Sequence, residues 1–339
     1  MDTTAKFRVW AAMSPKASLT PWEFEPPPLR PFDCRVAVLA CGICHSDIHM
    51  IDNDWGMSTY PLVPGHEVVG RVTEVGSAVE HLKAGDRVGI GWQSGSCLQC
   101  PDCLAGNENL CDQNRALIVH GRGGFGDYVQ LDSRFVFPLP AELPTESAGP
   151  LLCGGATVYS ALRNAGMTSG QDIGVIGMGG LGHLAILFAS RLGNRVTVFT
   201  TTPEKAEQAR DLGAHHALVQ PAGKEAPKPE RKLQILLSTA PAPLDWSGYL
   251  AWLDSDGTLA LVAGSAEPIR VSFWDLLGKR RRIMASPIGG RSTLTEMLKV
   301  AAGYGILPKV ETYGMKEVNQ AVERVRHNQV RYRAVLLAE

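Results

Sequence analysis

Four cysteines lie close together in the first third of the 339-residue chain, at a spacing that suits a metal ion. They are Cys97, Cys100, Cys103 and Cys111. Four thiolates around one tetrahedral Zn²⁺ neutralise the ion and hold a loop that lacks regular structure, so we predict a structural zinc site. A redox pair and an iron–sulfur cluster are alternatives, although the gap before the fourth cysteine does not match ferredoxin spacings. Because a closed zinc site does no chemistry, the reacting groups must lie elsewhere.

Further potential metal ligands are dispersed along the chain. Cys44 lies in Cys-His-Ser-Asp, His66 in Pro-Gly-His-Glu, and Cys153 in Leu-Leu-Cys-Gly-Gly. Two thiolates and one imidazole balance the charge of Zn²⁺ and leave its fourth position open, which is typical of catalytic zinc. The sequence does not prove that the three residues converge. Taken singly, each also suits a packed core position.

A glycine array indicates a dinucleotide-binding turn. The expected cofactor-binding residues in it are Gly177, Gly179, Gly180, Leu181 and Gly182. The array follows a strand predicted over 171–176 and precedes a helix predicted over 181–192, the order in which pyrophosphate meets a helix N-terminus. The uncharged run 173–190 is long enough for a short membrane span, but its glycines favour a turn between strand and helix.

Strands and helices are predicted to alternate after this turn. The predicted strands are 195–200, 216–219, 233–237 and 258–262, and Thr202 and Pro203 open a helix between the first two. This alternation predicts an α/β fold with a doubly wound parallel sheet. The strand over 195–200 ends in Thr200, Thr201 and Thr202, with Lys205 close behind, instead of the acidic residue that binds the ribose of NAD. We therefore predict NADP rather than NAD. A helix cap at Thr202 and a solvated Lys205 are the simpler interpretation of those two residues.

Composition limits the class of partner. The hydrophobic content of 45% is ample for ordinary buried cores, and the formal net charge is −1. Without a strong basic field, neither nucleic acid nor an anionic membrane is expected as the main partner. The first eight residues do not resemble a secretory signal, and the cysteines look unpaired. A cytoplasmic protein with a small-molecule substrate is therefore predicted.

The three motifs together resemble the zinc-dependent medium-chain alcohol dehydrogenase family over nearly the whole chain. The stretches 44–56, 60–67 and 177–183 are most similar to its cinnamyl alcohol dehydrogenase branch, especially to bacterial NADPH-dependent aldehyde reductases. The resemblance implies a β-rich GroES-like catalytic domain, formed by 1–153 and 289–339, and a Rossmann NADP-binding domain over 154–288. It also implies a homodimer that pairs through the strand near 283–289.

The resemblance further implies roles for individual residues. Catalytic zinc is expected on Cys44, His66 and Cys153, with Glu67 either an occasional ligand or a neighbour that tunes the field. Asp47 is expected to orient His66, although a turn or cap residue is the simpler interpretation. A proton route is expected from solvent through His49 and the nicotinamide ribose to Ser46. His45 is expected to face cofactor phosphate, with an ordinary surface histidine as the alternative.

The substrate is defined only as a class. Trp55, Met57 and Trp92 resemble positions of an apolar pocket for aromatic or medium-chain aldehydes, and at least one of them suits a core position equally well. Three functions remain open: an aldehyde reductase, a cinnamyl or allylic alcohol dehydrogenase working in oxidation, and a non-catalytic nucleotide sensor. Cys34 and Cys41 are expected to be packed thiols, and the basic run 279–282 a solvated edge.

Overall fold

The computed structural model describes residues 6–221, 224, 227–264 and 267–338. The chain divides into two compact units. The first comprises the chain up to Cys153, with Gly290–Ala302 and the segment from Leu307 onward; the second comprises Gly154–Gly289 with Gly303–Ile306. Most of the N-terminal segment examined for a secretory signal lies outside the described residues.

The strands are numbered along the described part of the chain. They are β1 (Phe7–Ala11), β2 (Thr20–Phe24), β3 (Asp33–Ile43), β4 (Glu67–Val75), β5 (Arg87–Ile90), β6 (Gln93–Gly95), β7 (Arg115–Ala116), β8 (Tyr128–Asp132), β9 (Val136–Pro138), β10 (Asp172–Ile176), β11 (Arg195–Thr200), β12 (His216–Val219), β13 (Leu233–Ser238), β14 (Leu253–Leu261), β15 (Arg282–Ala285), β16 (Val310–Gly314) and β17 (Arg333–Leu337).

The α-helices are numbered in the same way. They are α1 (His45–Asp52), α2 (Pro101–Leu104), α3 (Leu117–His120), α4 (Thr145–Pro150), α5 (Ala156–Asn164), α6 (Gly182–Arg191), α7 (Pro203–Asp211), α8 (Trp246–Leu250), α9 (Phe273–Leu277), α10 (Arg291–Gly303) and α11 (Val318–Arg326). No helix among the described residues is long and apolar enough to cross a membrane, and the apolar run 173–190 is divided between β10, the glycine turn and α6.

The first unit is built on a seven-stranded sheet in the order β16-β17-β3-β4-β5-β9, with β8 also paired to β3. Strand β3 is the axis of this sheet because it pairs antiparallel with β4, β8 and β17. Its early residues alternate between buried and half-buried, but Ala40 to Ile43 are all buried. Both faces of the sheet are therefore covered where the chain approaches Cys44.

The second unit contains a six-stranded sheet in the order β12-β11-β10-β13-β14-β15, and every pair in it is parallel. Its central strands β10 and β13 are mostly apolar and buried, as expected of a sheet covered on both faces. The strand order reverses between β10 and β13, which makes the carboxyl end of β10 the topological switch point. The predicted α/β class with a doubly wound sheet is confirmed.

Strand β14 differs from its prediction. It was expected to begin near residue 258 but extends back to Leu253, which pairs with Leu233 before the register shifts. Regular pairing resumes only at Thr258, opposite Ile235. Between them Asp256 adopts a left-handed backbone with φ of 62°. Because the polar residues of this bulge interrupt the apolar pattern, the early part of the strand is not recognised from the sequence.

Candidate active site

Helix α1 positions the first candidate metal ligand. Cys44 is its N-cap residue, with an extended backbone, and the Asp47 carboxylate accepts a hydrogen bond of 2.9 Å from the Cys44 backbone N–H. This capping arrangement satisfies a backbone donor that the helix itself leaves without a partner. The thiol of Cys44 is thereby held at the start of a helix, where the dipole favours negative charge.

Asp47 also joins this helix to the turn that carries His66. The carboxylate is fully buried, and its Oδ1 accepts from the Gly65 backbone N–H at 2.8 Å and lies 2.9 Å from His66 Nδ1. Gly65 has φ of 99°, and a Cβ there would lie 2.5 Å from the Phe125 ring, so this turn requires glycine. With Nδ1 donating to Asp47, the lone pair of His66 Nε2 is free to bind a metal.

The dispersed ligand candidates converge in the first unit. One donor atom from each of Cys44, His66, Glu67 and Cys153 lies within 4.8 Å of the other three. Cys153 reaches the cluster from a single π-helical turn, Leu151–Gly155, that follows α4. His66 Nε2 is buried and has no hydrogen-bond partner within the described part of the chain. Two sulfurs and an orphaned imidazole nitrogen make a donor set that fits Zn²⁺.

Glu67 is held differently from the other three residues. Its Oε1 accepts a hydrogen bond from Arg333 Nη2, while its Oε2 is buried with no partner among the residues described. Burial raises the pKa of Glu67 to about 7 although the Arg333 charge opposes the shift. A Cβ at Gly42 would lie 2.0 Å from Glu67 Oε2, so glycine makes room for this carboxylate.

Sequence analysis missed Arg333. It is 5% exposed and opens β17, whose other residues are all apolar. A single arginine in such a strand signals a buried ion pair, since burying a charge without a partner is strongly unfavourable. Its partner depends on pairing between β17 and β3, in which Ala334 lies opposite Ile43.

The charges around the cluster favour thiolate at one sulfur. A hydrogen bond from the Cys153 thiol lowers the pKa of Cys44 well below its usual range, and His66 and Arg333 contribute in the same direction. The pKa of Cys153 is raised well above the usual range by that same hydrogen bond and by burial. One sulfur is therefore ready to bind a metal without first losing a proton.

The groups expected to handle protons lie on the exposed side of α1. Ser46 Oγ lies 3.8 Å from Cys44 Sγ. His49 Nδ1 lies 2.7 Å from Asp54 Oδ2, and 40% of the His49 side chain is exposed. Sequence analysis missed Asp54 as a partner of this imidazole. His45 is exposed.

The three apolar pocket candidates fall into two groups. The Trp92 ring lies edge-on to His66, at 5.1 Å between ring centroids, and Trp55 contacts both Trp92 and His49. Trp55 and Met57 are 45% and 47% exposed. Trp92 therefore belongs to the wall beside the metal ligands, while the other two present apolar surface to an incoming molecule.

The four-cysteine cluster is also assembled in the first unit. The donor atoms of its members lie within 4.8 Å of one another, and Cys97 Sγ is 3.9 Å from Cys103 Sγ and 3.5 Å from Cys111 Sγ. A tetrahedral zinc with Zn–S bonds of about 2.3 Å separates its sulfurs by about 3.8 Å. Backbone N–H groups of Gln99 and Cys100 lower the pKa of Cys97 to about 6. The cluster fits a zinc ion.

The remaining described thiols differ from both clusters. Burial, reinforced by the Asp33 carboxylate, raises the pKa of Cys34 to about 12, and burial also raises that of Cys41 well above its usual range. No described cysteine forms a disulfide. Neither thiol belongs to a group of potential metal ligands among the described residues, which suits packed positions for both.

The glycine turn in the second unit has the geometry that nucleotide binding requires. Gly177 has φ of 95°, and a Cβ at Gly182 would lie 2.2 Å from the Gly177 carbonyl oxygen. At Gly179 a Cβ would meet no described atom within 4 Å, so the backbone there is open to a ligand. Gly180 and Leu181 complete the turn before α6 and are half-buried. The turn lies at the switch point of the sheet.

Hydroxyl groups line the carboxyl ends of the neighbouring strands. Thr200 ends β11 and Ser238 ends β13, and both hydroxyl oxygens are buried without a partner in the part of the chain that the structure describes. Thr202 caps α7, since its Oγ1 accepts from the Lys205 backbone N–H at 3.3 Å. Thr201 is exposed and Lys205 is half-buried. Orphaned hydroxyls at this edge fit the polar groups of a nucleotide.

Family models match both parts of the chain. Residues 30–141 match the alcohol dehydrogenase GroES-like domain, and residues 180–303 match the zinc-binding dehydrogenase model. The aldehyde reductase AdhA of Synechocystis sp. is 40% identical over 329 residues, which cover 97% of this chain and 98% of that protein.

Two solved structures are similar over almost their whole length. A cinnamyl alcohol dehydrogenase from Sorghum bicolor has a TM-score of 0.90 and 36% identity, covering 98% of this chain and 97% of its own. The cinnamyl alcohol dehydrogenase from Helicobacter pylori, solved in complex with NADP(H), has a TM-score of 0.89 and 30% identity, covering 98% of both chains.

Proposed function

Because the chain belongs to the zinc-dependent medium-chain alcohol dehydrogenase family, in its cinnamyl alcohol dehydrogenase branch, we propose that it reduces aldehydes to primary alcohols with NADPH, reversibly. One observation carries the proposal: the donor atoms of Cys44, His66 and Cys153 lie together, and the Nε2 of His66 has no hydrogen-bond partner among the described residues. In a closed zinc site a fourth protein ligand completes the shell, whereas three such ligands leave room for substrate.

The metal ligands are assigned as follows. Cys44, His66 and Cys153 hold catalytic zinc, and the four-cysteine cluster holds structural zinc. Asp47 keeps His66 in the tautomer that offers Nε2. Glu67 neutralises Arg333 beside the ligands through its Oε1. Its Oε2 has no hydrogen-bond partner among the described residues and is available as an occasional metal ligand. When bound, zinc polarises the carbonyl and NADPH supplies the hydride.

Ser46 and His49 are proposed to carry the proton that the alcohol product needs. Ser46 lies beside Cys44 and donates from its hydroxyl to the oxygen of the substrate. His49 restores the proton, because its imidazole is in contact with solvent and can pass on a proton taken from it. Asp54 fixes the His49 ring through Nδ1, which leaves Nε2 for proton transfer.

The second unit is proposed to be the NADP-binding domain, and the first the catalytic domain. The backbone at Gly179 accommodates the pyrophosphate at the start of α6. Thr200, Thr201 and Lys205 are proposed to select NADP over NAD, since no carboxylate at the end of β11 repels a 2′-phosphate. The relative from Helicobacter pylori was solved with NADP(H), which supports this choice. Contact between His45 and the cofactor phosphate stays a prediction.

Aromatic and medium-chain aldehydes are the proposed substrates. Trp55 and Met57 offer exposed apolar surface next to His49, and Trp92 closes the side against His66. An apolar wall of this kind binds flat or extended carbon chains and gives little discrimination between similar ones. Oxidation of cinnamyl or allylic alcohols uses the same residues and is the alternative direction.

A cytoplasmic homodimer is the proposed state of the enzyme. Strand β15 is an edge strand of the parallel sheet, and next to it in sequence α9 exposes Phe273 and Trp274, at 66% and 73%. An unpaired edge beside exposed aromatic side chains suits pairing with a second copy. Cysteines without disulfides favour the reducing cytoplasm. Sedimentation at micromolar concentration is expected to give about twice 36.5 kDa, and a single 36.5 kDa species would contradict the dimer.

The decisive experiment is an assay of the purified protein with NADPH or NADH and with benzaldehyde, cinnamaldehyde or butanal, before and after zinc chelation. NADPH-selective turnover that chelation abolishes is the expected result. Turnover that chelation does not change would refute the zinc mechanism. Turnover with cinnamyl alcohol and NADP that exceeds every reduction would favour the oxidative direction. Binding of NADPH without turnover of any aldehyde or alcohol would favour the nucleotide sensor.

A further inference from the structure

Glu108 is a buried carboxylate inside the loop of the four-cysteine cluster. It lies between Cys103 and Cys111 and is only 3% exposed. The loop around it contains only α2 and one turn of 3₁₀-helix, Glu108–Leu110. Regular structure therefore contributes little to holding the loop closed, which leaves the metal and the long-range contacts of the loop to do so.

Those contacts run from Glu108 to the first residue of helix α10. Glu108 Oε2 accepts from the Arg291 backbone N–H at 2.9 Å, and Oε1 accepts from Arg291 Nη1 at 3.3 Å. The backbone N–H groups of the first turn have no partner within a helix, so the carboxylate also satisfies one of them. One side chain thus receives both a charged donor and a backbone donor across 183 positions of sequence.

Arg291 binds a third segment at the same point. Its Nε donates to the Arg134 carbonyl oxygen at 2.7 Å, and its guanidinium lies 5.6 Å from the centroid of the Phe135 ring. The guanidinium is therefore oriented from two sides before it meets Glu108. Orientation of this kind makes a charge-assisted pair stronger than a mobile surface pair.

The backbones also meet closely here. A Cβ at Gly290 would lie 2.1 Å from the Gly106 carbonyl oxygen and 2.8 Å from Glu108 Oε2. Ser292 Oγ donates to that same Gly106 oxygen at 3.2 Å. The loop is packed against the start of α10 at a distance that only glycine at position 290 allows.

We propose that Glu108 is the positioning residue that retains the metal of the four-cysteine cluster, by fastening the loop between Cys103 and Cys111 to α10. Movement of the loop segment away from the metal carries its ligand thiolates with it. The bonds to Arg291 oppose that movement. The proposal rests on the assignment of structural zinc to this cluster, and it concerns the rate at which that zinc is lost, not the chemistry of the enzyme.

The test is zinc release from the full-length holoenzyme in excess chelator, followed with a chromogenic zinc indicator while turnover is measured in parallel. The phase that accompanies loss of turnover reports the cluster of Cys44, and the other phase reports the four cysteines. Glu108→Gln keeps the shape of the side chain but removes its charge. Asp112→Asn makes the same charge change at the exposed position that directly follows Cys111 and serves as the control.

Glu108→Gln is expected to accelerate the four-cysteine phase by about tenfold or more, as befits loss of a hydrogen bond to a charged group. The other phase and the Asp112→Asn protein should match the wild type. Arg291→Lys keeps the positive charge but loses the several N–H donors of the guanidinium, and it should give a smaller acceleration of the same phase. Zinc release at the wild-type rate from both the Glu108→Gln and the Arg291→Lys proteins would overturn the proposal. So would an equal acceleration of both phases in these proteins. A wild type that carries only one zinc would instead refute the metal assignment itself.

Discussion

The two metal clusters of the first unit are built on opposite principles. The four-cysteine cluster draws all its donors from 15 consecutive positions, 97–111, and all are sulfur. The cluster of Cys44, His66 and Cys153 draws its donors from three distant segments and mixes sulfur with nitrogen. The donors of the first cluster come together when one loop closes, whereas those of the second come together only when the sheet of the first unit has formed.

Their electrostatic surroundings differ in the same way. Three buried charged residues lie beside Cys44 and His66: Asp47, Glu67 and Arg333. The protonation of the donor atoms there depends on these charges. At Cys97 the pKa is lowered chiefly by backbone N–H groups. A cluster that only holds a loop needs no adjustable charges, while one that binds a reacting molecule does. Four substitutions test this contrast.

Cys44→Ser is expected to have the largest effect. Loss of the metal that polarises the carbonyl should lower turnover by more than about 1,000-fold, because such a metal supplies several kcal/mol. Zinc content should fall from two to one per chain, with little change in the unfolding midpoint. Cys34→Ser, the same change at a packed thiol, should keep both zinc ions and turnover. Normal turnover by the Cys44 variant would break the contrast.

Cys100→Ser should show the reverse pattern. Loss of a structural metal destabilises by more than about 4 kcal/mol, which corresponds to a fall of roughly 10 °C in unfolding midpoint. Molecules that remain folded at low temperature should still turn over at a rate close to wild type. Calorimetry and zinc analysis check the prediction. Loss of turnover at an unchanged midpoint would show that both clusters serve the chemistry directly.

Arg333→Met tests the buried charge beside the open cluster. Glu67 is then left buried without its partner, so the free energy of unfolding measured in urea should fall by about 3 kcal/mol. Adding Glu67→Gln should recover part of that loss in a double-mutant cycle. Arg280→Met removes an exposed ion pair with Asp256 and should change stability by less than about 1 kcal/mol. Simple additivity of the Arg333 and Glu67 changes would contradict their coupling.

Asp47→Asn is expected to have the smallest effect of the four. An amide still fills the space but no longer favours the His66 tautomer that offers Nε2, so zinc affinity at this cluster or turnover should fall about 10- to 100-fold. Competition with a chelator of known affinity measures the change. A lower unfolding midpoint with unchanged zinc affinity and turnover would reduce Asp47 to a helix cap.

The sequence was most informative where structure is local. The predicted α/β class was confirmed because glycine spacing and the alternation of strands and helices are set within short stretches. The four-cysteine spacing is likewise local. The grouping of Cys44 with His66 and Cys153 came from a family resemblance, since no local pattern joins them.

Long-range contacts escaped prediction for a physical reason. Arg333 meets Glu67 only because β17 pairs with β3 in one register, and Glu108 meets Arg291 only because α10 returns to the first unit. A single strand pattern does not encode its neighbour or its register. The bulge in β14 was missed because its polar residues interrupt the apolar run.

The pairing of β17 with β3 has a consequence for synthesis on the ribosome. Arg333 follows Glu67 by 266 positions, so the first unit begins to be made early and receives β17, one of the three strands that pair with β3, late. The second unit is translated in between, and the strands of its parallel sheet lie entirely between Gly154 and Gly289. It can fold while the first unit still waits. Until β17 emerges, the nascent chain carries Glu67 without its arginine. The surroundings of Cys44 are therefore completed only at the end of synthesis, whereas the four-cysteine loop has all its sulfurs as soon as Cys111 leaves the tunnel.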